Sequence, residues 1–492
     1  MRIFATAFSL TFTLLLSTLA AGQTASDAED KAASPATAGE PVAKSQQSQQ
    51  PKLQGRGQKF SEWFDKAARA YQQQDIEGWV EATEELHRLR PYNQDFMRHL
   101  VEGNAMLGKL DKAYDMMLRM QRQGLSVDWD SIEAVEPMRE HQLYDHLNSL
   151  MEEAGQPFGD VTTWSRLGED HPMPEAMAYD DEQERMFVGT VRDGVILTSD
   201  DGEQWTTWVS AEDMPKLQAV FDLAVDAERG HLWVATGNVA MFQGEPREDE
   251  VNSALLRLDL ETGELQREYP IGSGGGRNLL GSLAVAEDGT VFAADMQAPV
   301  IYRLQAGAEA LSPYFGHPGF TSLRGMALNE DGSLLYVADY ALGIFVIDAS
   351  GGQQAWQLAV PETFNAGGID GLYWWNNHLV VIQNAITPQR VVRLKLGDDG
   401  LGVTAVAPLA AAREEFDMPT FGVMDGQELY FLAVSHWRHA DAEGNPRDEW
   451  PEVPIMKLDV DNASVKTVGQ EVLEKLKGQQ QQRQQQDSDS EG

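Results

Sequence analysis

Hydrophobic and polar positions change rhythm along the chain. Between residues 58 and 155, apolar residues recur at i, i+3 and i+4, the period of an amphipathic helix. FSEWFDKAARAYQQQDIEGWVEATEELHRLRP shows the pattern first, and YNQDFMRHLVEGNAMLGKLDKAYDMMLRMQRQG repeats it. Ala70 and Tyr71 align with Ala105 and Met106, and Trp79 with Tyr114, an offset of 35 residues punctuated by Pro91. A third, weaker unit is expected from Asp128 to Ala154. Tyr, Trp and Met at these positions read as packing residues, since each helix pair buries its apolar face on the next.

From about residue 160 to 460 the period switches to that of short strands. One phrase recurs six times: an apolar strand, a polar turn and a second apolar strand. The copies are EAMAYDDEQERMFVGT, FDLAVDAERGHLWVAT, GSLAVAEDGTVFAAD, RGMALNEDGSLLYVAD, DGLYWWNNHLVVIQ and FGVMDGQELYFLA. Their third residues, Met177, Leu223, Leu283, Met326, Leu372 and Val423, stand 43 to 60 residues apart. Each phrase is followed by a further strand: GVILTS, ALLRLDL, PVIYRLQ, GIFVID, RVVRLKL or PIMKLDV. Four short antiparallel strands per unit at this spacing describe the blades of a propeller. The fold expected is therefore mainly β, a six-bladed β-propeller preceded by a small α-helical module.

The flanks have no apolar period. Residues 1–22 carry Arg2, an apolar run and the small residues Ala20, Ala21 and Gly22, which is the layout of a secretory signal peptide. Residues 23–57 and 478–492 are rich in Gln, Ser, Ala and Gly and read as disordered linker and tail. After signal cleavage no segment is long and apolar enough to span a bilayer. The expected location is periplasmic or extracellular. The absence of Cys excludes disulfides and thiolate metal sites. A formal net charge of −39 makes nucleic acid an unfavourable partner.

The innermost strand of each blade lines a central channel, so equivalent positions in successive phrases form a ring. Aligning the phrases places Glu175, Phe221, Gly281, Arg324, Asp370 and Phe421 in that ring, with Asp222 one residue along. Asp370 precedes a strand of Val, Ile and Leu because its end of the strand opens on the channel.

The helical segment resembles tetratricopeptide repeats. PEAMAYDDEQERMFVGTVRDGVI and GGIDGLYWWNNHLVVIQN resemble the six-bladed propellers of the gluconolactonase and senescence-marker-protein family. That resemblance implies a divalent cation, usually calcium, held in the channel by a Glu, two Asn and an Asp. It further implies that the Asp acts as a base toward a lactone or its water. Glu175 matches the Glu, although Ala176 replaces a Gly, and Asp370-Gly371 matches the Asp. Gly281 and Arg324 stand where the two Asn are expected.

Three arrangements answer this departure. Arg324 bridges Glu175 and Asp370 in an internal ion network, since guanidinium is the usual partner of buried carboxylates. Alternatively a calcium or zinc ion is kept, with Asn238, Asn278 or Asn384 as substitute oxygen donors. In the third, Arg324 receives a carboxylate ligand. His317 and His436 are further acid–base candidates. Ser199 to Trp205 reads as a hairpin turn with a packed Trp.

Two functions follow. One is an exported binding protein, with helical repeats facing a protein partner and the propeller a small ligand. The other is a metal-dependent lactone or ester hydrolase, with Glu175 and Asp370 on the cation and Asp370 as catalytic base.

Overall fold

The computed structural model describes residues 55–245, 247, 251–271, 278–317, 319–351 and 354–462. The signal-peptide and C-terminal-tail assignments, and most of the linker, lie outside these residues.

Among the described residues five α-helices come first: α1 (Gly55–Gln72), α2 (Ile76–Leu89), α3 (Gln94–Met106), α4 (Leu110–Arg122) and α5 (Gln142–Ala154). Asp75 and Asn93 cap α2 and α3 by accepting from Gly78 N and Phe96 N, at 3.0 Å each. The 35-residue offset maps α1 and α2 onto α3 and α4, and Ala70 and Ala105 are buried at equivalent places. The third unit departs from expectation. Its first half is two short 3-10 turns, Trp129–Ser131 and Glu133–Met138, and only its second half is an α-helix. Pro137 lacks the N–H that a continuous helix needs there.

Twenty-four strands then form six four-stranded antiparallel sheets. Strands β2 (Pro174–Asp180) to β5 (Thr206–Ser210) make the first blade, and β6 (Ala219–Asp226) to β9 (Leu265–Ile271) the second. Strands β10 (Leu280–Val285) to β13 (Ser312–Gly316) make the third, and β14 (Leu323–Leu328) to β17 (Ala355–Gln357) the fourth. The fifth runs from β18 (Ile369–Trp375) to β21 (Val403–Ala411). The sixth combines β22 (Gly422–Asp425), β23 (Glu428–Leu432) and β24 (Val453–Asp459) with β1 (Thr162–Leu167). Strand β1 pairs antiparallel with β24, Leu167 opposite Val453, so the two ends of the propeller sequence share one sheet. This clasp leaves no gap in the circle. The chain is a six-bladed β-propeller with a helical segment before it.

An apolar core fills each junction between neighbouring blades. Phe187, Val220 and Leu232 join the first two blades, and Leu283, Ala293 and Ile271 the next. Phe292 with Val337, Tyr336 with Leu394, Phe431 with Val391, and Val188 with Ile455 mark the other four. Trp205 packs edge-on to Trp164 and donates to Ser165 Oγ at 2.9 Å, as the hairpin-turn reading expects.

The helices are bolted to one rim of this ring. Ser126 N donates to Thr387 O at 2.7 Å, and Thr387 N donates to Gln94 Oε1 at 2.6 Å. Buried Arg390 donates to Gln123 O at 2.9 Å, and Asn365 to Gln123 Oε1 at 3.1 Å. Ile386 enters the apolar core of the helices themselves.

Candidate functional site at the upper end of the channel

The ring expected from the sequence exists, and its local cause is a repeated irregularity. In β2 the pairing with β3 slips between Pro174 and Ala176, which leaves Glu175 as the extra residue. The same slip falls at Phe221, Gly281 and Asp370, and it spans Arg324 and Gly325 in β14. Phe421 stands just before β22, accepting from Leu432 N at 3.0 Å. A β-bulge turns one side chain out of the pleat, here toward the channel. Gly325 serves this geometry directly. A Cβ there would lie 2.6 Å from Leu372 N and 2.8 Å from Asp370 O, so glycine lets β14 approach β18.

Three ionisable side chains, Glu175, Arg324 and Asp370, meet at this level. Arg324 Nε lies 3.4 Å from Asp370 Oδ1. The other oxygen, Oδ2, accepts from Asn384 Nδ2 at 2.7 Å and from Thr420 Oγ1 at 3.2 Å. Tyr340 donates to Asn384 Oδ1 at 2.7 Å and presents its ring 5.5 Å from the guanidinium. Burial pushes the Glu175 carboxyl up to about 8, and the nearby Asp370 charge adds to this. Arg324 and a hydrogen bond from the Trp437 side chain oppose the rise without cancelling it. At neutral pH the trio is thus balanced: a protonated Glu175 beside the Arg324–Asp370 ion pair.

Apolar side chains cover the trio. Phe221, Leu279 and Met173 pack with Met296, Trp437 and Trp450 into one cluster. His436 fixes that cover. Its Nδ1 accepts from Met173 N at 2.9 Å, its Nε2 donates to Pro451 O at 2.8 Å, and its ring stacks on Trp450 at 4.8 Å. Burial lowers its pKa to about 4, so it stays neutral. His436 is a structural staple whose partner Met173 stands two residues before Glu175, and both its nitrogens are engaged.

The remaining candidates divide. Asn384 reaches the ring, as a donor to Asp370 rather than as a free oxygen ligand. Asn278 turns away, donating to Asp295 Oδ2 at 2.7 Å and to Tyr302 at 3.3 Å. His317 follows the outermost strand of the third blade, where Nδ1 accepts from Gly319 N at 3.1 Å and the ring meets Phe320. Asp222 lies below the ring and links two blades. Its Oδ1 accepts from Leu223 N at 2.8 Å, and its Oδ2 from Leu283 N at 2.7 Å. Met296, Tyr340, Thr420 and Trp437 were not legible as site residues. The one signal was the sequence neighbourhood of Trp437, which follows His436.

The residues present do not suit a divalent cation. Calcium takes six to eight oxygens. Here two carboxyls face a guanidinium, and one carboxylate oxygen of Asp370 already accepts two hydrogen bonds. The place of a side chain at Gly281 is taken: a Cβ would fall 2.2 Å from Met296 Sδ. Met296 in turn accepts from Arg324 Nη1 at 3.1 Å. No group of three or more His, Asp or Glu placed for a metal occurs among the described residues. Of the two contacts expected of Arg324, the structure shows the one to Asp370.

Below the ring the channel opens into a cavity of about 240 Å³. Asp222, Ser282, Met326, Leu372, Tyr373 and Phe421 contribute to its wall. No helix among the described residues is long and apolar enough to cross a membrane.

No family model matches the chain, and no curated protein matches it significantly. Among solved structures it is similar to the PQQ-bound aldose sugar dehydrogenase of Streptomyces coelicolor, at a TM-score of 0.43 and 12% identity over 62% of this chain and 99% of that one. It is also similar to a gluconolactonase of Xanthomonas campestris, with a TM-score of 0.42 and 16% identity over 61% and 90%. For the calcium-binding regucalcin of Agrobacterium tumefaciens the values are 0.43 and 15% over 60% and 95%.

Proposed function

We propose that this chain is an exported binding protein whose propeller channel takes a small ligand, with the helical module bracing the channel loops. The observation that carries the reading is the Arg324–Asp370 pair. At the upper end of the channel Arg324, Asp370 and Asn384 contact one another, and a cavity lies beneath them. The helices brace the same region. They grip the 384–390 loop that carries Asn384, the direct partner of Asp370. Much of their apolar surface packs in their own cores and on Ile386.

The reading is tested by a thermal-shift screen of small charged and neutral compounds against the mature chain, beside lactone and ester assays. Stabilisation by a compound class without turnover is the expected result. Cell fractionation checks export. Loss of a co-purifying protein on deleting residues 58–155 would add a partner to the helical module.

A second reading, a lactone or ester hydrolase, has one observation in its favour. A carboxyl raised to about 8 beside a second carboxyl is the make-up of an acid–base pair. Turnover that Asp370→Asn abolishes in a folded protein would replace the first reading with this one.

A further inference from the structure

The lower half of the channel has a chemistry unlike its upper end. A second cavity, of about 270 Å³, sits among the turns that end the innermost strands. It shares Tyr179, Val225 and Met424 with the cavity under the ring, so the two form one passage. Three carboxylates line that passage, Asp181 and Asp425 at the mouth and Asp222 deep inside, and no Lys, Arg or His does. The rest of the deep wall is largely aliphatic or aromatic, with Met177, Leu223, Leu372 and Phe421 among its residues. Among the described residues no cationic side chain pairs with Asp222, and its recorded hydrogen bonds are the two from backbone N–H groups. Each innermost strand is also the free edge of its sheet, so backbone C=O as well as N–H groups face the passage.

We propose that this passage binds a small primary alkylammonium ion, which enters through the acidic mouth and pairs with Asp222. The proposal rests on the channel-binding reading and names its ligand class. A passage lined by charge of one sign concentrates the opposite ion. An ammonium group supplies three donors, enough for one carboxylate oxygen and nearby carbonyls. Aromatic faces of Tyr373 and Phe421 suit a cation, and the aliphatic wall suits its carbon stem. A bare metal ion finds too few oxygens here, since the deep wall carries one carboxylate and calcium takes six to eight oxygens.

Calorimetric titration of the mature chain with n-butylammonium, and with n-butanol as its neutral counterpart, tests this. Butylammonium should bind and butanol should not. Asp222→Asn should weaken butylammonium at least about tenfold. If that variant does not fold, the wild-type pH profile decides instead. Burial lifts the Asp222 carboxyl to about 7, while the amine stays charged throughout, so affinity should climb between pH 6 and 8. The other titratable groups lining the passage are Tyr179, Tyr373, Asp181 and Asp425, none of them basic. Asp181→Asn with Asp425→Asn should weaken binding about threefold through the mouth. Undiminished binding in folded Asp222→Asn, or a pH-independent affinity, overturns the proposal. Binding of butanol or an anion in place of the amine also overturns it and leaves the channel-binding reading standing. If no compound of any class binds, both fall.

Discussion

The two ends of the channel are made by the same six strands and have opposite character. At the upper end, bulges aim side chains inward, and those chains find one another: Arg324 with Asp370, Asn384 with Asp370, Met296 with Arg324. At the lower end, hairpin turns aim carboxylates outward and inward, and Asp181 and Asp425 have no guanidinium across from them in the cavity wall. One end pairs its cation with a carboxylate, whereas the other presents carboxylates to a passage whose described lining holds no cation. A repeated scaffold thus neutralises charge at one end and leaves it without a cation at the other.

The strongest way to break this contrast is to remove the internal balance. Asp370→Ala leaves Arg324 and Asn384 facing an empty place. Stability should drop by about 2–4 kcal/mol in chemical denaturation, below a fully buried pair because Arg324 is partly exposed. Asp370→Leu combined with Arg324→Leu should recover much of the loss, and strict additivity of the two changes would show that the pair is not coupled.

The next effect depends on pH. Folded Glu175 keeps its proton to about pH 8, whereas the unfolded chain releases it near 4.5. Folding therefore takes up a proton between these limits. Stability should fall as pH rises from about 4.5 to about 8 and level off above. Glu175→Gln should flatten this component of the profile across the window. An identical pH–stability profile in the variant would mean that Glu175 is ionised in the folded protein.

His436→Ala should cost about 1–2 kcal/mol by stranding Met173 N–H and Pro451 C=O. It should also raise Trp437 fluorescence quenching by solvent, since the cover over Glu175 loosens. The smallest effect expected concerns metal. Chelation with EDTA should leave the melting temperature within about 1 °C, and calcium should not raise it. A calcium-dependent rise would show that the upper end is not closed by Arg324.

The blades and the ring were legible in the sequence because both follow from period. Six phrases with a shared third residue fix six innermost strands, and the ring positions follow by counting. The slips that turn Glu175 and Asp370 inward fall on the first residue of the phrase in the first, second, third and fifth blades and on its first two residues in the fourth. What escaped lacks a period. Strand β1 belongs to no phrase, and only its pairing with β24 reveals it. Met296 fills the space at Gly281 from a neighbouring loop, and Asn384 reaches Asp370 across 14 residues. Side chains that reach between neighbouring strands of a blade obey local shape, which no spacing rule encodes. In the helices, the 35-residue offset placed two pairs correctly, and Pro137 broke the third.

The clasp has a consequence for how the molecule comes into being. Thr162–Leu167 is synthesised early, yet its only strand partner, Val453–Asp459, emerges near the end. Until then the nascent chain carries a bare strand edge at each extremity, with both sequences free to pair elsewhere. A truncation just before Val453 would therefore do more than shorten the last sheet: it would leave an open crescent with two sticky ends, prone to join its neighbours instead of itself.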